Sequence, residues 1–476
     1  MIKIHNIRFG LATNSSSSHS LVFLKEKGRD TTGNDFGWDF FTAASKGSKL
    51  TYLSLILLEQ LKRSLPENIA RMVTKEWLGV PKIGEAYVDH QSVWILPCEY
   101  NTNIPDELFV KELSEYLSQE NIAILGGNDN TDEVHPLSGN SFQLPLDRDD
   151  SRAHVVCRKE PAGHWVIFDK RRGTKIRMKF LKNSSEFSIP PTRSSTPELI
   201  DIKITDFCPY GCKYCYQDST SQGKHSEDLY YLADSLSKMK VFEVALGGGE
   251  PTLHPKFMET LRVFKEHGIV PNFTTRNLQW LVKELPEVMR LAGAFALSVD
   301  KESTYRGELE TLKTALDYHK IDCNRVNIQA IIGPGSIEDD YHLSQLMESV
   351  YKNNFRATLL GWKDTGRGAE YKQKAPASNL KRGWWIDVIQ KLKTRPLIAI
   401  DTVLASECEK ELIEAGVDKR LFTTVEGTFS CYIDAVNLTM GPSSYCKPEE
   451  MVKLKNFYGD ELREAFSEIS KAAVPV

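Results

Sequence analysis

Between residues 199 and 362 six short apolar runs with strand character are separated by longer stretches with helical spacing. The runs read LIDIKIT, VFEVALGG, VPNFTT, AFALSVD, RVNIQAII and FRATLLGW. Helical patterns fill 227–240, 256–267, 278–289, 302–319 and 340–351 between them. Strands separated by whole helices pair in parallel through right-handed crossovers, which leaves few architectures open. The expectation is an α/β fold, a partial (β/α)6 TIM-like barrel over residues 196–375.

The flanks have a different texture. Residues 1–190 carry helical patterns at 49–64 and 106–118 and a short strand at 122–125. Strand-like 154–159, 163–169 and 174–180 follow, joined by the turn signals EPAG and KRRG, so a three-stranded meander is expected. This part reads as an additional N-terminal α+β domain. The Pro- and Ser-rich IPPTRSSTPE at 189–198 reads as a linker. Residues 376–476 read as a C-terminal α/β extension, with helices at 380–392 and 408–415, a hairpin in FTTVEGTFSCYIDAV, and a charged helix over 448–472. A chain of 476 residues is long enough for about three domains.

Net charge of −4 gives no global pull toward nucleic acid or a membrane. The most apolar run, LTYLSLILL, is too short to cross a bilayer, and the opening MIKIHNIRFG lacks a signal-peptide core. A cytoplasmic setting follows, in which close-set cysteines among the nine present point to metal or catalysis rather than disulfides.

Three of those cysteines stand in CPYGCKYC, just beyond the first strand of the alternating region. Functional groups gather at such strand ends in parallel sheets. Cys208, Cys212 and Cys215 supply thiolates, which favour zinc or iron–sulfur centres. Zinc would take His225 as a fourth ligand and make the chain a zinc-stabilised binding module. A cubane held by three thiolates would leave one iron open. The next strand ends in Gly247-Gly248-Gly249-Glu250-Pro251, where glycines allow close backbone approach and Glu250 offers a carboxylate to an ammonium.

In these two motifs the chain resembles the radical S-adenosylmethionine (radical SAM) superfamily: Cys-x3-Cys-x2-Cys with Tyr214 before the last cysteine, and GGGEP on the second strand. The resemblance spans roughly residues 198 to 362. It implies a [4Fe-4S] cluster on Cys208, Cys212 and Cys215, with SAM chelating the open iron. Gly248, Gly249 and Glu250 would then meet the SAM amino group, and Tyr214 its adenine. Thr275, Asn277, Ser298 and Asp300, at the ends of the third and fourth strands, would bind the ribose and carboxylate. Asn277 and Asp300 also fit simple helix caps, and Gln329 either a ligand contact or a neighbouring backbone group. The implied activity is reductive SAM cleavage to a 5′-deoxyadenosyl radical, fed by a flavodoxin- or ferredoxin-type electron donor. A peptide or protein is the first substrate reading; a nucleobase, nucleotide or nucleic acid is the alternative.

The remaining signals are blander. Cys408, Cys431 and Cys446 are spaced too widely for the paired cysteines of an auxiliary cluster, and Cys98, Cys157 and Cys323 read as structural. Lys175, Arg177 and Lys179 alternate along one strand and read as a solvated sheet face, or else as a grip for phosphates or an acidic peptide. ATNSSSSHS reads as a polar loop, and Gly333-Pro334-Gly335 and Thr365-Gly366-Arg367-Gly368 as turns after the fifth and sixth strands.

Overall fold

The computed structural model describes residues 2–8, 20–23, 30, 35–36, 41–88, 95–120, 122–126, 141–142, 154–171, 173–181, 189–227, 229–301, 303, 305–375, 380–458 and 460–473. They form two compact units, Met1–Pro191 and Thr192–Val476.

The first unit runs β1 (Ile2–Arg8), β2 (Ser20–Phe23), β3 (Asp35–Phe36), β4 (Phe41–Ala43), α1 (Lys46–Lys62), α2 (Glu67–Leu78), β5 (Tyr87–Val88), α3 (Glu107–Leu117), β6 (Ile122–Gly126), β7 (Ser141–Phe142), β8 (Val155–Lys159), β9 (Trp165–Asp169) and β10 (Lys175–Phe180). The meander β8–β9–β10 forms, and β1 joins it antiparallel to β10. Ser45 and Asp106 start α1 and α3 by accepting from Ser48 N and Phe109 N. Tyr52, Leu53, Ile56 and Leu57 on α1 share a core with Phe109 and Leu113 on α3 and with Trp165, Ile167 and Met178 of the sheet. The basic stripe is not a solvated face, since Lys175 and Arg177 are only 7% and 8% exposed. ATNSSSSHS, apart from Ser20, lies outside the described residues.

The second unit contains β11 (Leu199–Thr205), α4 (Tyr230–Lys238), β12 (Glu243–Gly248), α5 (Phe257–Glu266), β13 (Val270–Thr275), α6 (Leu278–Leu291), β14 (Phe295–Ser298), α7 (Tyr305–Tyr318), β15 (Val326–Ile331), α8 (Asp340–Lys352), β16 (Arg356–Leu360), α9 (Gly366–Lys374), α10 (Trp384–Lys391) and β17 (Ile398–Ile400). It ends with α11 (Thr402–Glu407), α12 (Glu409–Glu414), β18 (Ser430–Asp434), β19 (Thr439–Gly441), β20 (Val452–Lys453) and α13 (Glu461–Ala472). The strands from β11 to β17 lie in chain order and all pair in parallel. The chain is thus mixed α/β with a large, mostly parallel sheet.

Residues beyond 376 extend this same sheet at both edges, β17 beside β16 and β18 beside β11. The hairpin anticipated within 422–436 sits later, because its apolar half pairs parallel with β11 and turns back only at β19. The charged pattern at 448–472 opens with a 3-10 turn at Pro448–Glu450 and becomes α-helical only from Glu461, after β20.

Buried Val244, Leu246, Phe273, Ile328 and Leu359 alternate with partly exposed Ala245, Gly247, Asn272, Thr274, Asn327, Gln329 and Thr358. The two-residue strand period puts the second set on the opposite face of the sheet. There the polar groups tie neighbouring strands: Asn272 Nδ2 donates to Glu243 Oε2 (3.2 Å), Thr274 Oγ1 to Gln329 Oε1 (3.3 Å) and Asn327 Nδ2 to Thr358 Oγ1 (2.5 Å). Gln329 therefore partners a side chain rather than a backbone group. Among the described residues no helix is long and apolar enough to cross a membrane.

A buried polar tie on β11 is Lys203. Its ammonium is 7% exposed, pairs with Asp206, and donates to Asp434 Oδ2 at 3.0 Å, joining β11 to β18. Removing one member of a buried ion pair strands the rest. Lys203→Ala should cost about 3 kcal/mol, read as a lower denaturant midpoint, and an unchanged midpoint would show that the pair contributes nothing.

Candidate cofactor site at the strand ends

Beyond Thr205 the chain makes a closed loop that carries the three cysteines. Asp206 N donates to Lys224 O (2.7 Å), Thr220 N to Asp206 O (3.2 Å) and Cys208 N to Thr220 O (2.9 Å). Cys215 N closes a turn on Cys212 O (3.2 Å). The segment after β16 clamps this loop from the other side. Thr365 Oγ1 donates to Tyr216 O (3.1 Å), Gly368 N to Cys215 O (3.3 Å) and Arg367 Nε to Cys212 O (3.3 Å). Gly366 has φ +57°, and a Cβ there would lie 2.8 Å from Cys215 O, so glycine is what lets the clamp close.

Cys208, Cys212 and Cys215 are free, partly buried thiols. Burial pushes the Cys208 thiol up, and Cys212, Glu250 and Cys215 push the same way, so its thiolate calls for a positive centre nearby. A cluster that takes one thiolate on each of three irons suits that donor set. Among the described residues no three His, Cys, Asp or Glu side chains, the three cysteines included, form a ready ligand set for one metal ion. His225 instead shares a 2.8 Å hydrogen bond between Nδ1 and Thr205 Oγ1.

The glycine-rich turn explains itself by backbone crossing. Gly249 N donates to Thr205 O (2.6 Å) and Glu250 N to Phe207 O (2.8 Å). A Cβ at Gly248 would lie 2.3 Å from Thr205 O, and one at Gly249 2.1 Å from Phe207 O. Gly247 faces open space. The carboxylate of Glu250, 2% exposed, braces β12 to the end of β13. Its Oε1 accepts from Thr275 Oγ1 (2.7 Å), Thr252 Oγ1 (2.7 Å) and Thr252 N (3.2 Å), and its Oε2 from Arg276 N (3.0 Å). Asn277 caps α6 through Trp280 N (3.3 Å) and donates from Nδ2 to Thr252 Oγ1 (3.2 Å).

Tyr214 and Asp300 meet here as well, the phenol donating to Asp300 Oδ2 at 2.6 Å. Between them lies Arg276, which the sequence did not single out because an arginine beside polar neighbours carries no spacing signal. Its Nη1 donates to Tyr214 Oη (2.6 Å) and to Cys212 Sγ (3.3 Å), and its Nη2 to Asp300 Oδ2 (2.5 Å). Burial opposes the guanidinium charge, but Tyr214, Asp300 and Cys212 outweigh it and hold Arg276 above its ordinary value. Ser298 stands apart from this network, at the end of β14 in register with Gln329.

A second polar group, also missed, lines the β16 side. Lys363 Nζ lies 4.3 Å from the Tyr216 ring centroid and 5.1 Å from that of Tyr445, and Tyr445 Oη donates to Glu426 Oε1 (3.4 Å). Burial, then the charge of Asp201, pushes Glu426 up to about 7. Cys408 and Cys431 are buried, and Cys446 Sγ contacts Met451 Sδ.

Two outcomes test this geometry. Gly249→Ala should cost about 1–3 kcal/mol of stability and Gly247→Ala no more than about 0.5; equal costs would show that the crossing is not what demands glycine. Because Glu426 binds its proton more tightly folded than unfolded, stability should fall as pH rises from 4.5 toward 7. Glu426→Gln should therefore match wild type at pH 4 and exceed it at pH 8 in thermal melts.

Residues 202–335 match the family model described as the Radical SAM superfamily. A protein named probable GTP 3′,8-cyclase from Saccharolobus solfataricus is 23% identical over 172 residues, 33% of this chain and 54% of that protein. Mycofactocin maturase MftC from Mycobacterium ulcerans is 30% identical over 107 residues, 22% of this chain and 28% of its own length. The chain thus spans about half the length of the curated cyclase it matches. Among solved structures, Streptococcus suis SuiB bound to the precursor peptide SuiA aligns with a TM-score of 0.49 at 14% identity, over 67% of this chain and 88% of SuiB. Residues 202–335 thus carry a radical SAM domain, and the enzymes of that superfamily use a [4Fe-4S] cluster and S-adenosylmethionine.

Proposed function

We propose that this protein cleaves SAM reductively and uses the product to abstract hydrogen from a peptide or protein. The observation that carries the first part is the three-thiol loop held by two backbone hydrogen bonds against the Gly248-Gly249-Glu250 turn. Cys208, Cys212 and Cys215 would hold the cluster. Gly248, Gly249, Glu250, Tyr214, Thr275, Asn277, Ser298 and Asp300 would surround SAM. When bound, the pair supplies a one-electron cleavage that yields methionine and a 5′-deoxyadenosyl radical.

The chain's own residues then have definite tasks. Glu250, already held by four donors, keeps acceptor capacity on Oε2 for an ammonium, at a place fixed by Thr252, Thr275 and Arg276 N. Asp300 and Tyr214 fix each other and so cost little to order when a ligand arrives. The polar face of the sheet, with Asn272, Thr274, Asn327, Gln329 and Thr358 cross-tied, would form the substrate-facing wall of a partial (β/α)6 barrel over residues 196–375. The parallel order of β11 to β16 supports that curvature. The extension from 376 would complete its edges.

A peptide or protein substrate is supported by the separate core of the first unit and by β1, which among the described residues is an edge strand on which an extended segment can pair. The likeness to a maturase points the same way. The nucleotide reading draws on the relatives named GTP 3′,8-cyclase. Burial of Lys175 and Arg177 removes the basic face that a nucleic acid would have used. All nine cysteines are free thiols, which supports a reducing cytoplasmic setting and a flavodoxin- or ferredoxin-type donor.

Protein purified without oxygen should contain iron and sulfide and, with dithionite and SAM, release 5′-deoxyadenosine detectable by mass spectrometry. Cys212→Ala should reduce that release at least a hundredfold. Wild-type protein that carries the cluster yet releases none would sink the enzymatic reading. Adding peptide and nucleotide fractions separately then distinguishes the two substrates, through the fraction that raises release and gains a mass change.

A further inference from the structure

We propose that Arg276 is a positioning residue for the redox step: a fixed cation, hydrogen-bonded to a cluster-ligand sulfur, that raises the cluster's reduction potential. The proposal rests on the cluster assignment to Cys208, Cys212 and Cys215. Its basis is the fork of the guanidinium. Nη1 reaches Cys212 Sγ at 3.3 Å while sharing Tyr214 Oη at 2.6 Å, and Nη2 is anchored on Asp300 Oδ2 at 2.5 Å. The backbone of the same residue is fixed too, since Arg276 N donates to Glu250 Oε2 at 3.0 Å. Four bonds thus set one arginine, whose side chain is 25% exposed and its Asp300 partner 6%.

The physical consequence follows from charge. In the step considered, one electron leaves a reduced flavodoxin- or ferredoxin-type donor and arrives on the cluster; no bond forms or breaks, and the cluster becomes more negative by one. A cation beside a ligand sulfur, and a hydrogen bond to that sulfur, both stabilise the more negative state. Asp300 works against this by compensating the arginine, so the pair sets the potential between two limits. An anchored planar fork suits such a role better than a lysine, because it holds sulfur, phenol and carboxylate at once.

The test is a potentiometric titration, followed by the EPR signal of the reduced cluster in anaerobically purified full-length protein without SAM. At a solution potential equal to the wild-type midpoint, Arg276→Gln should lower the reduced-to-oxidised ratio at least tenfold, equivalent to about 59 mV for one electron. Asp300→Asn should raise that ratio. A Gln variant with full iron content and a ratio within threefold of wild type overturns the proposal. If the Gln variant fails to hold iron, the Asn variant decides: an unchanged or lower ratio overturns it. Wild-type protein without iron and sulfide overturns the cluster assignment and this proposal together, whereas a loaded wild type with unshifted variants overturns this proposal alone.

Discussion

Everything around the candidate site depends on two strand ends touching at their backbones. Where β11 runs out into the cysteine loop, the end of β12 crosses it so closely that Gly249 N and Glu250 N donate directly to Thr205 O and Phe207 O. No side chain fits in that crossing, which is why two glycines stand there. Once the crossing is made, Glu250 is forced down into the gap between β12 and β13, where it collects Thr252, Thr275 and the amide of Arg276. That places the Arg276 guanidinium against Cys212. The cysteine loop, the carboxylate and the guanidinium are one construction, and the 365–368 segment clamps it from the far side.

Much of this was legible in the order of residues. Strand–helix alternation from 199 to 362 carries its own topology, since parallel neighbours separated by a helix have one common handedness. CPYGCKYC and GGGEP carried the site, because crowded thiols and a glycine run each need a reason. The parts that stayed hidden lack a local signature. Arg276, Lys363 and Glu426 come from three different loops, and only the assembled sheet brings their neighbours to them. Lys175 and Arg177 misled for a related reason: alternation shows that a strand has two faces, but not that both are buried.

The glycine motif also changes meaning between sequence and structure. Read along the chain, three glycines suggest room for a ligand. In the fold, Gly248 and Gly249 make room for the protein's own backbone, and only Gly247 looks onto open space. Glu250 shifts likewise, from an isolated anion awaiting a partner to a brace that already has several. A ligand arriving there meets a preformed acceptor rather than a mobile one.

The seating of β18 beside β11 has a temporal consequence. Lys203 and Asp434 are 231 positions apart. At ribosomal speeds of about 5–20 residues per second, β11, the strand that leads into the cysteine loop, emerges roughly 10–50 s before its outer neighbour exists. During that interval its flank is bare and Lys203 lacks its Asp434 counter-ion. Completion of the Lys203 pair, and with it the outer edge of β11, is thus a late event in biosynthesis.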